Sequence, residues 1–240
     1  MEAVVFDMDG VLFDTERVCM KAWIAVTESL GLSGMEEIFP QCIGLNANDS
    51  RKIVLQAYGE NFDYVDFRRR TAAWYEEYIE KNGLPIKPGV EEILGWLKNQ
   101  DMASYGRGAS YGRGASHGRG AFHGKYKVGL ASSTRRASVL GHLEQAGIRD
   151  SFSVVVTGDM VEHSKPQPDI YLRACEELGA APGQTYAIED SPNGIRAAYA
   201  AGMKPLMVPD MIMPDEEMRH MSHRIFRDLR EVLEYLRENR

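Results

Sequence analysis

Cysteine is scarce in this 240-residue chain: Cys19, Cys42 and Cys175 are far apart and form no CxxC pair. That spacing argues against a disulfide framework and against a cysteine-rich zinc site. Net positive charge is lacking too, because 28 lysines and arginines face 35 aspartates and glutamates and the net charge is −7. An acidic chain has no electrostatic reason to take nucleic acid or an anionic membrane as its main partner.

Long apolar runs are also missing. The first apolar run is interrupted by Asp7 and Asp9, which excludes the core of a signal peptide, and no other run approaches the length of a membrane span. With 44% apolar and 26% charged residues, the composition is that of an ordinary soluble protein. We therefore expect a cytoplasmic protein without membrane contact, with a monomer as the default.

The sequence does contain an acidic strand end at its start. A β-branched apolar run over 4–6 predicts a buried strand, and Asp7, Asp9 and Gly10 follow at once. In an open parallel sheet, ligands bind beyond the carboxyl ends of the strands. Two carboxylates two residues apart repel unless a cation compensates, and Mg²⁺ prefers such oxygen ligands. A solvated Asp-Gly turn is the alternative for this stretch taken alone.

Strands and helices alternate along the rest of the chain. Apolar runs predict four further strands, and amphipathic segments ending at glycines predict helices between them. The predicted strands after the first cover 127–132, 153–156, 185–188 and 205–208. This alternation indicates an α/β fold with a doubly wound, Rossmann-like parallel sheet, whose strands all end at one edge.

Residues 15–85 interrupt that alternation with helical patterns alone. We predict an inserted helical cap over 15–85, and a catalytic core formed by 1–14 and 86–240. Turn-forming residues at 82–89 mark the end of the insert. Helices that enter and leave the core beside an active site are suited to close over a substrate.

Residues 103–126 contain three near-identical glycine-rich hexads and a degenerate fourth. Glycine at this density disfavours regular structure, so we predict a low-complexity loop within the core. Its arginines and tyrosines could bind RNA or another polyanion, but an insertion tolerated at the surface is the favoured interpretation. The loop enters a strand at its amino end and is expected to lie away from the acids.

Four predicted strand ends carry polar residues suited to phosphate chemistry. After the second strand, Ser132, Ser133 and Arg135 precede a helix whose amides could bind an anion. Lys165 offers a point charge for a phosphoryl group. Glu189 and Asp190, with Asn193 nearby, add oxygen ligands for a metal. Each fragment alone could be a cap, a surface lysine or a turn, but four coincidences at one edge are improbable.

The segments DMDGVLFDTE, LASST, SKPQPDIY and IEDSPNGIRAA together resemble the four motifs of the haloacid dehalogenase-like hydrolase superfamily. They are similar to its phosphatase and β-phosphoglucomutase-like branch, which has a helical cap. The resemblance implies that Asp7 forms an aspartyl phosphate and that Asp9 acts as acid and then base. It implies that Ser132 and Lys165 hold the phosphoryl group. It also implies a Mg²⁺ site made by Asp7, the Asp9 carbonyl and Asp190, with Glu189 as a ligand or behind one.

The resemblance favours hydrolysis of a small phosphate ester, such as a sugar phosphate. Asp9 argues against a dehalogenase, since a halide leaves without an acid. In β-phosphoglucomutases a cap histidine and a cap arginine stand where this chain has Cys19 and Ala47, so water is the expected phosphoryl acceptor. Mutase-like phosphoryl transfer remains the alternative. A second alternative is a binding protein that acts through the Gly/Arg/Tyr loop.

Residues of the cap that face the site are expected to select the substrate. The candidates in the cap are Glu16, Cys19, Trp23, Asn46 and Asn48. In the core, Ser133, Arg135 and Asn193 are expected to touch the substrate as well. We predict that Trp74 and Tyr78 pack in a core. The histidines show no ligand spacing and are expected to be surface or structural residues: His142, His163, His220 and His223.

Overall fold

The structure is a computed structural model that describes residues 2–43, 47–103 and 126–239. The strands are β1 (Glu2–Phe6), β2 (Tyr126–Ser132), β3 (Val154–Thr157), β4 (Thr185–Glu189), β5 (Lys204–Met207) and β6 (Arg224–Ile225). The first five helices are α1 (Thr15–Ser29), α2 (Met35–Cys42), α3 (Ala47–Tyr58), α4 (Tyr64–Asn82) and α5 (Val90–Ala103). The others are α6 (Arg136–Gln145), α7 (Asp169–Leu178), α8 (Pro192–Ala200), α9 (Glu216–Met221) and α10 (Leu229–Glu238).

The six described strands form one parallel sheet in the order β3-β2-β1-β4-β5-β6. The predicted fold class is therefore confirmed, and β1 lies near the middle with β2 and β4 on either side. The sequence predicted five strands and missed β6. Two residues are too few to show the alternation that identifies a strand. Helices α2 and α9, of eight and six residues, were not assigned either.

Side chains of β1 alternate between two apolar cores, one on each face of the sheet. Val4 and Phe6 belong to the core covered by α5, α6 and α10, whereas Ala3 and Val5 belong to the core covered by α7 and α8. A central strand buried on both faces needs an unbroken apolar sequence, which is what β1 has. Because helices cover both faces, a ligand can reach the sheet at the amino or the carboxyl ends of its strands.

Helices α1 to α4 pack around an apolar cluster of their own. Trp23 is at its centre, with the rings of Phe39 and Phe67 each 5.2 Å away in edge-to-face contact. Trp74 packs against the same cluster and stacks on Tyr78 at 5.3 Å. These helices therefore have a core distinct from those of the sheet. None of the helices in the described ranges is both long and apolar enough to cross a bilayer.

The predicted low-complexity loop lies outside the described residues, apart from its flanks Ala103 and Tyr126. Tyr126 is the first residue of β2, so this flank is at the amino-end edge of the sheet. The acids Asp7 and Asp9 follow the carboxyl end of β1, at the opposite edge.

The two chain segments that connect the helical insert to the sheet run side by side. Phe13 and Ile86 form an antiparallel bridge, and the Lys87 amide donates to the Leu12 carbonyl at 2.9 Å. Beyond β5, the Asp210 carboxylate accepts from Lys87 Nζ at 2.6 Å and pairs with Arg17. The Asp210 side chain is 1% exposed. One buried carboxylate thus binds a cation from each connection.

We expect Asp210→Asn to lower the free energy of unfolding by about 1–3 kcal/mol, because it leaves Lys87 without its counter-charge in a mostly buried position. Urea denaturation measures this difference. Glu234→Gln is a suitable control, since its pair with Arg237 is exposed and should be worth about 0.5 kcal/mol or less. Equal stabilities of the two variants would contradict the role given to Asp210.

Candidate active site

Lys165 lies at the carboxyl ends of the central strands of the sheet. Its ammonium donates to Asp7 Oδ1 and to Glu189 Oε1, each at 2.6 Å, and to the Ala131 carbonyl at 3.1 Å. These acceptors follow or end three different strands, β1, β4 and β2. The Lys165 side chain is 8% exposed. One buried cation therefore brings together residues from three predicted motifs.

Glu189 is fixed in place by hydrogen bonds to both of its carboxylate oxygens. Oε1 also accepts from the Tyr171 hydroxyl at 2.5 Å, and Oε2 accepts from the amides of Asp190 and Ser191 at 3.2 and 3.5 Å. A Cβ atom at Gly194 would lie 1.9 Å from the Glu189 carboxyl carbon, so only glycine fits there. Glu189 is fully buried and forms an ion pair with Lys165.

Three carboxylates come close enough together to hold a metal ion. Oxygens of Asp7, Glu189 and Asp190 all lie within 4.8 Å of one another. Gly10 makes room for this arrangement: its φ is +79°, and a Cβ there would lie 2.1 Å from Asp190 Oδ2. Fully ionised, the three acids exceed the charge of Lys165 by two, which a divalent cation would balance. Hard carboxylate oxygens suit that ion.

The pKa values of the cluster reflect this excess of negative charge. Burial, with the charges of Glu189 and Asp9, raises the pKa of Asp7 to about 8, even though Lys165 opposes the shift. Burial and the neighbouring carboxylates also raise the pKa of Asp190 well above its ordinary value. For Lys165, burial lowers the pKa, but the charges of Asp7 and Glu189 outweigh it and the net pKa is raised.

Asp9 is held by two hydroxyl groups from different parts of the chain. Thr15 Oγ1, at the start of α1, donates to Oδ1 at 2.7 Å, and Thr134 Oγ1, after β2, donates to Oδ2 at 2.8 Å. The Asp9 carboxylate is not one of the three clustered acids. Its side chain is therefore oriented separately from the Asp7 carboxylate, with a hydrogen bond to each of its oxygens.

A cavity of about 850 Å³ opens above these residues. Its floor includes Asp7, Asp9, Lys165 and Asp190. One face of α1 contributes Thr15, Glu16, Cys19, Ala22 and Trp23. One face of α4 contributes Arg68, Thr71, Ala72, Tyr75 and Glu76. The loop after β2, α6, the loop after β4 and the first turn of α8 supply Ser133, Thr134, Ser138, Gly141, His142, Gln145, Ser191 and Asn193. The cavity thus lies between the sheet edge and the inserted helices.

The predicted substrate residues divide into two groups. The cavity wall contains Glu16, Cys19, Trp23, Ser133 and Asn193. Two predicted contacts are not part of the wall in the described structure, Arg135 and Asn48, and both are exposed elsewhere. Arg135 precedes α6 as its N-cap residue. Asn46 lies outside the described residues. Ser132 is buried beneath the cavity, where its hydroxyl accepts from the Thr134 amide at 3.1 Å.

The structure also places residues in the wall that the sequence had not indicated. His142 was expected to be a surface or structural histidine, yet it lines the cavity, and burial lowers its pKa. Tyr75 and Arg68 line it from α4. The available signal was helical spacing, since Arg68, Thr71 and Tyr75 recur every three or four residues on one face. By contrast, His163 pairs with Asp169 at 2.9 Å on the surface.

Glu16 and Asp210 extend the acidic region beyond Asp190. Oxygens of these three residues also lie within 4.8 Å of one another. Burial, with the charges of Asp210 and Asp9, raises the pKa of Glu16 to about 7. Near neutral pH its carboxyl group is therefore partly protonated and can donate as well as accept a hydrogen bond.

A buried lysine, a carboxylate cluster and a cavity thus meet at the carboxyl ends of the strands of a parallel sheet, an arrangement suited to binding a phosphorylated or similar anionic compound. The family model for haloacid dehalogenase-like hydrolases matches residues 4–104 and 122–208. The chain belongs to this family, as its motifs predicted.

Its relatives include phosphatases. A phosphorylated carbohydrates phosphatase of Thermotoga maritima is 30% identical over 208 residues, covering 85% of this chain and 83% of the relative. The fructose-1-phosphate phosphatase YqaB of Escherichia coli is 29% identical over 203 residues, covering 83% and 92%. A crystal structure from T. maritima, provisionally named β-phosphoglucomutase, superposes with a TM-score of 0.76 at 28% identity over 99% of both chains. The protein is an enzyme of the phosphoric monoester hydrolase class.

Removal of divalent metal should destabilise the protein more as the pH rises. Without metal, the raised pKa of Asp7 means that the folded state keeps a proton that the unfolded chain has lost between about pH 4 and pH 8, so stability falls across this window. We expect Mg²⁺ to raise the melting temperature relative to EDTA, and to raise it more at pH 8.5 than at pH 6.

Asp190→Asn should remove most of this pH-dependent stabilisation, whereas Asp150→Asn, at an exposed position, should leave it unchanged. Differential scanning fluorimetry checks all three proteins. A shift of equal size at both pH values would count against metal binding at the carboxylate cluster.

Proposed function

We propose that the protein is a Mg²⁺-dependent phosphatase that hydrolyses a small phosphorylated metabolite, such as a sugar phosphate, through an aspartyl-phosphate intermediate on Asp7. The observation that carries this proposal is the contact of Lys165 with Asp7 at the floor of a cavity large enough for such an ester. The ammonium opposes the rise in the pKa of Asp7 and offsets the charge of an incoming phosphoryl group.

The proposed reaction has two steps. In the first, the Asp7 carboxylate attacks phosphorus, the bond from phosphorus to the ester oxygen breaks, and Asp9 gives its proton to the leaving oxygen. In the second, Asp9 takes a proton from a water molecule, whose oxygen attacks the acyl phosphate and releases inorganic phosphate and free Asp7. Thr15 and Thr134 hold Asp9 in position for both proton transfers.

The residues present fit a bound divalent cation. Asp7, Asp190 and the carbonyl of Asp9 would hold Mg²⁺, and the ion would supply the charge compensation that Lys165 alone does not. The carboxylate oxygens of Glu189 already accept hydrogen bonds from Lys165, Tyr171 and backbone amides, so we assign Glu189 to positioning the lysine. Ser133 in the cavity wall is the proposed contact of the phosphoryl group, together with Ser132, which ends β2 beneath it.

Residues 15–85 are proposed to act as a cap domain over a core formed by 1–14 and 86–240. The separate apolar cluster of α1 to α4 and the paired connections near residues 14 and 86 support this division. A cap of this kind excludes bulk water and brings substrate-selecting residues to the cavity.

The protonation state of the Cys19 thiol bears on the choice between hydrolysis and transfer of the phosphoryl group to a second sugar. This residue lines the cavity, and burial, with the charge of Asp9, raises the pKa of its thiol to about 12. A thiol that stays protonated at neutral pH cannot take a proton from a sugar hydroxyl, as a histidine could. Cys19 thus adds no second base beside Asp9, and we take water as the acceptor in the proposed reaction.

Asp7→Asn should abolish phosphate release, with a loss of about 10³-fold or more in kcat, because an amide cannot form the acyl phosphate. Phosphate release from a panel of sugar phosphates with Mg²⁺ measures the loss. The matched control is Asp150→Asn, which removes an exposed carboxylate and should leave kcat unchanged. Substantial turnover by Asp7→Asn would refute covalent catalysis at this residue.

Asp9→Asn should reveal whether this residue protonates the leaving oxygen. For an alkyl ester such as a sugar phosphate, we expect a loss of about 10²–10⁴-fold in the rate of the first step. For p-nitrophenyl phosphate, whose leaving group needs no proton, the loss in that step should be much smaller. Rapid-quench measurement of ester cleavage in a single turnover separates this step from hydrolysis of the intermediate. Equal losses for both esters would assign Asp9 another role.

A further inference from the structure

From the far end of the cavity we infer a second anion-binding site: Arg68 binds a phosphate or carboxylate group that the substrate carries about 10 Å from the ester phosphorus. This inference rests on the proposed function and specifies its substrate class as a phosphate ester with a second anionic end.

Arg68 is the cation of the cavity wall that no described carboxylate neutralises. The other cation in the wall, Lys165, is held between Asp7 and Glu189. Among the described residues, no ion pair joins Arg68 to an acid, whereas its neighbours Arg69 and Arg70 both pair with Asp66. A guanidinium without a counter-charge at the wall of a cavity attracts an anionic ligand group.

Arg68 is exposed, and its guanidinium contacts the ring of Trp23. The guanidinium carbon lies 5.3 Å from the centre of the Trp23 ring. Trp23 is 5% exposed and is held by Phe39 and Phe67, so it provides a rigid surface for the guanidinium. A guanidinium over an aromatic face can still direct N–H groups outward at its edge, in the fork geometry that matches phosphate and carboxylate oxygens.

The helix geometry gives the distance between the two anion sites. Thr15 donates to Asp9, so the start of α1 lies at the catalytic floor. Glu16 and Trp23 both line the cavity on the same helix, and seven residues of α-helix rise about 10 Å. Because Arg68 lies over Trp23, it is about two turns of α1 from the site of phosphoryl transfer. A chain of five or six carbons with anionic groups at both ends has a comparable span.

Helical spacing was the only signal in the sequence that pointed to Arg68, and we did not predict this residue from it. The arginine expected from β-phosphoglucomutases has no counterpart at Ala47, and Arg68 is on a different helix, within a run of three arginines. Helix α4 returns towards the sheet antiparallel to α1, with Arg68 near Trp23 at the far end and Tyr75 within electrostatic reach of Asp9 and Cys19. This antiparallel arrangement turns one of the three arginines into the cavity.

The test compares matched substrates that differ in one anionic group. One pair is fructose 1,6-bisphosphate and fructose 1-phosphate, and the other is 6-phosphogluconate and glucitol 6-phosphate. For each pair, the readout is the ratio of kcat/KM for the doubly anionic ester to that for the singly anionic one. The first pair tests phosphate and the second tests carboxylate as the distal group.

We expect the wild-type ratio to exceed one in at least one pair, and Arg68→Gln to lower that ratio about tenfold, mainly through KM. Arg68→Lys should lower it less, since a point charge replaces the fork. The control is Arg69→Gln, one residue along the helix and paired with Asp66, which should leave both the ratio and the rates unchanged.

A ratio that Arg68→Gln does not change in either pair would overturn the distal site. So would a wild-type enzyme that prefers the singly anionic ester in both pairs. These failures differ from failure of the proposed function, in which wild-type protein with Mg²⁺ releases no phosphate from any ester, including p-nitrophenyl phosphate.

Discussion

The buried ammonium of Lys165 is the interaction on which the arrangement of the site depends. It joins Asp7 after β1, Ala131 in β2 and Glu189 in β4, while its own loop follows β3. These four strands are consecutive in the sheet. Because all are parallel, their carboxyl ends meet at one edge, and one side chain can reach all of them. Loss of the ammonium would leave two buried carboxylates facing each other, which is a costly arrangement.

The carboxylates of this cluster carry more negative charge than Lys165 can balance. In the proposed reaction, this excess determines whether the cation or the ester binds first. A phosphate ester carries two negative charges near neutral pH and would be repelled by Asp7, Glu189 and Asp190 if Lys165 were the only cation nearby. A divalent cation reduces that repulsion, and so should precede or accompany the ester. At the other end of the cavity, Arg68 needs no such help, because no described carboxylate neutralises it. The two ends of the cavity therefore differ in their electrostatic requirements.

Sequence reasoning succeeded where topology alone places a residue. Asp7, Asp9, Lys165 and Asp190 follow strand ends or adjoin them, so a parallel sheet brings them together whatever the details of packing. It was less successful for residues on helices. Arg135 was expected at the substrate and is an exposed N-cap residue instead, while His142 on α6 lines the cavity. Helical spacing shows which residues share a face, but the direction of that face depends on contacts between elements distant in the chain.

From this difference it follows that the residues at the carboxyl ends of the strands and those on the inserted helices are constrained to different degrees. In the floor, Lys165 and Glu189 each have several buried partners, and Asp7 is held by Lys165, so a substitution there disrupts the others. The faces of α1 and α4 that line the cavity are supported by the apolar cluster around Trp23, a residue that also reaches the cavity wall. Residues such as Glu16, Arg68 and Tyr75 can therefore change without loss of the fold or of the proposed phosphoryl chemistry. Substrate choice is consequently the property of this enzyme that is most free to vary, and it is encoded in the two helical faces and in the distance between Lys165 and Arg68.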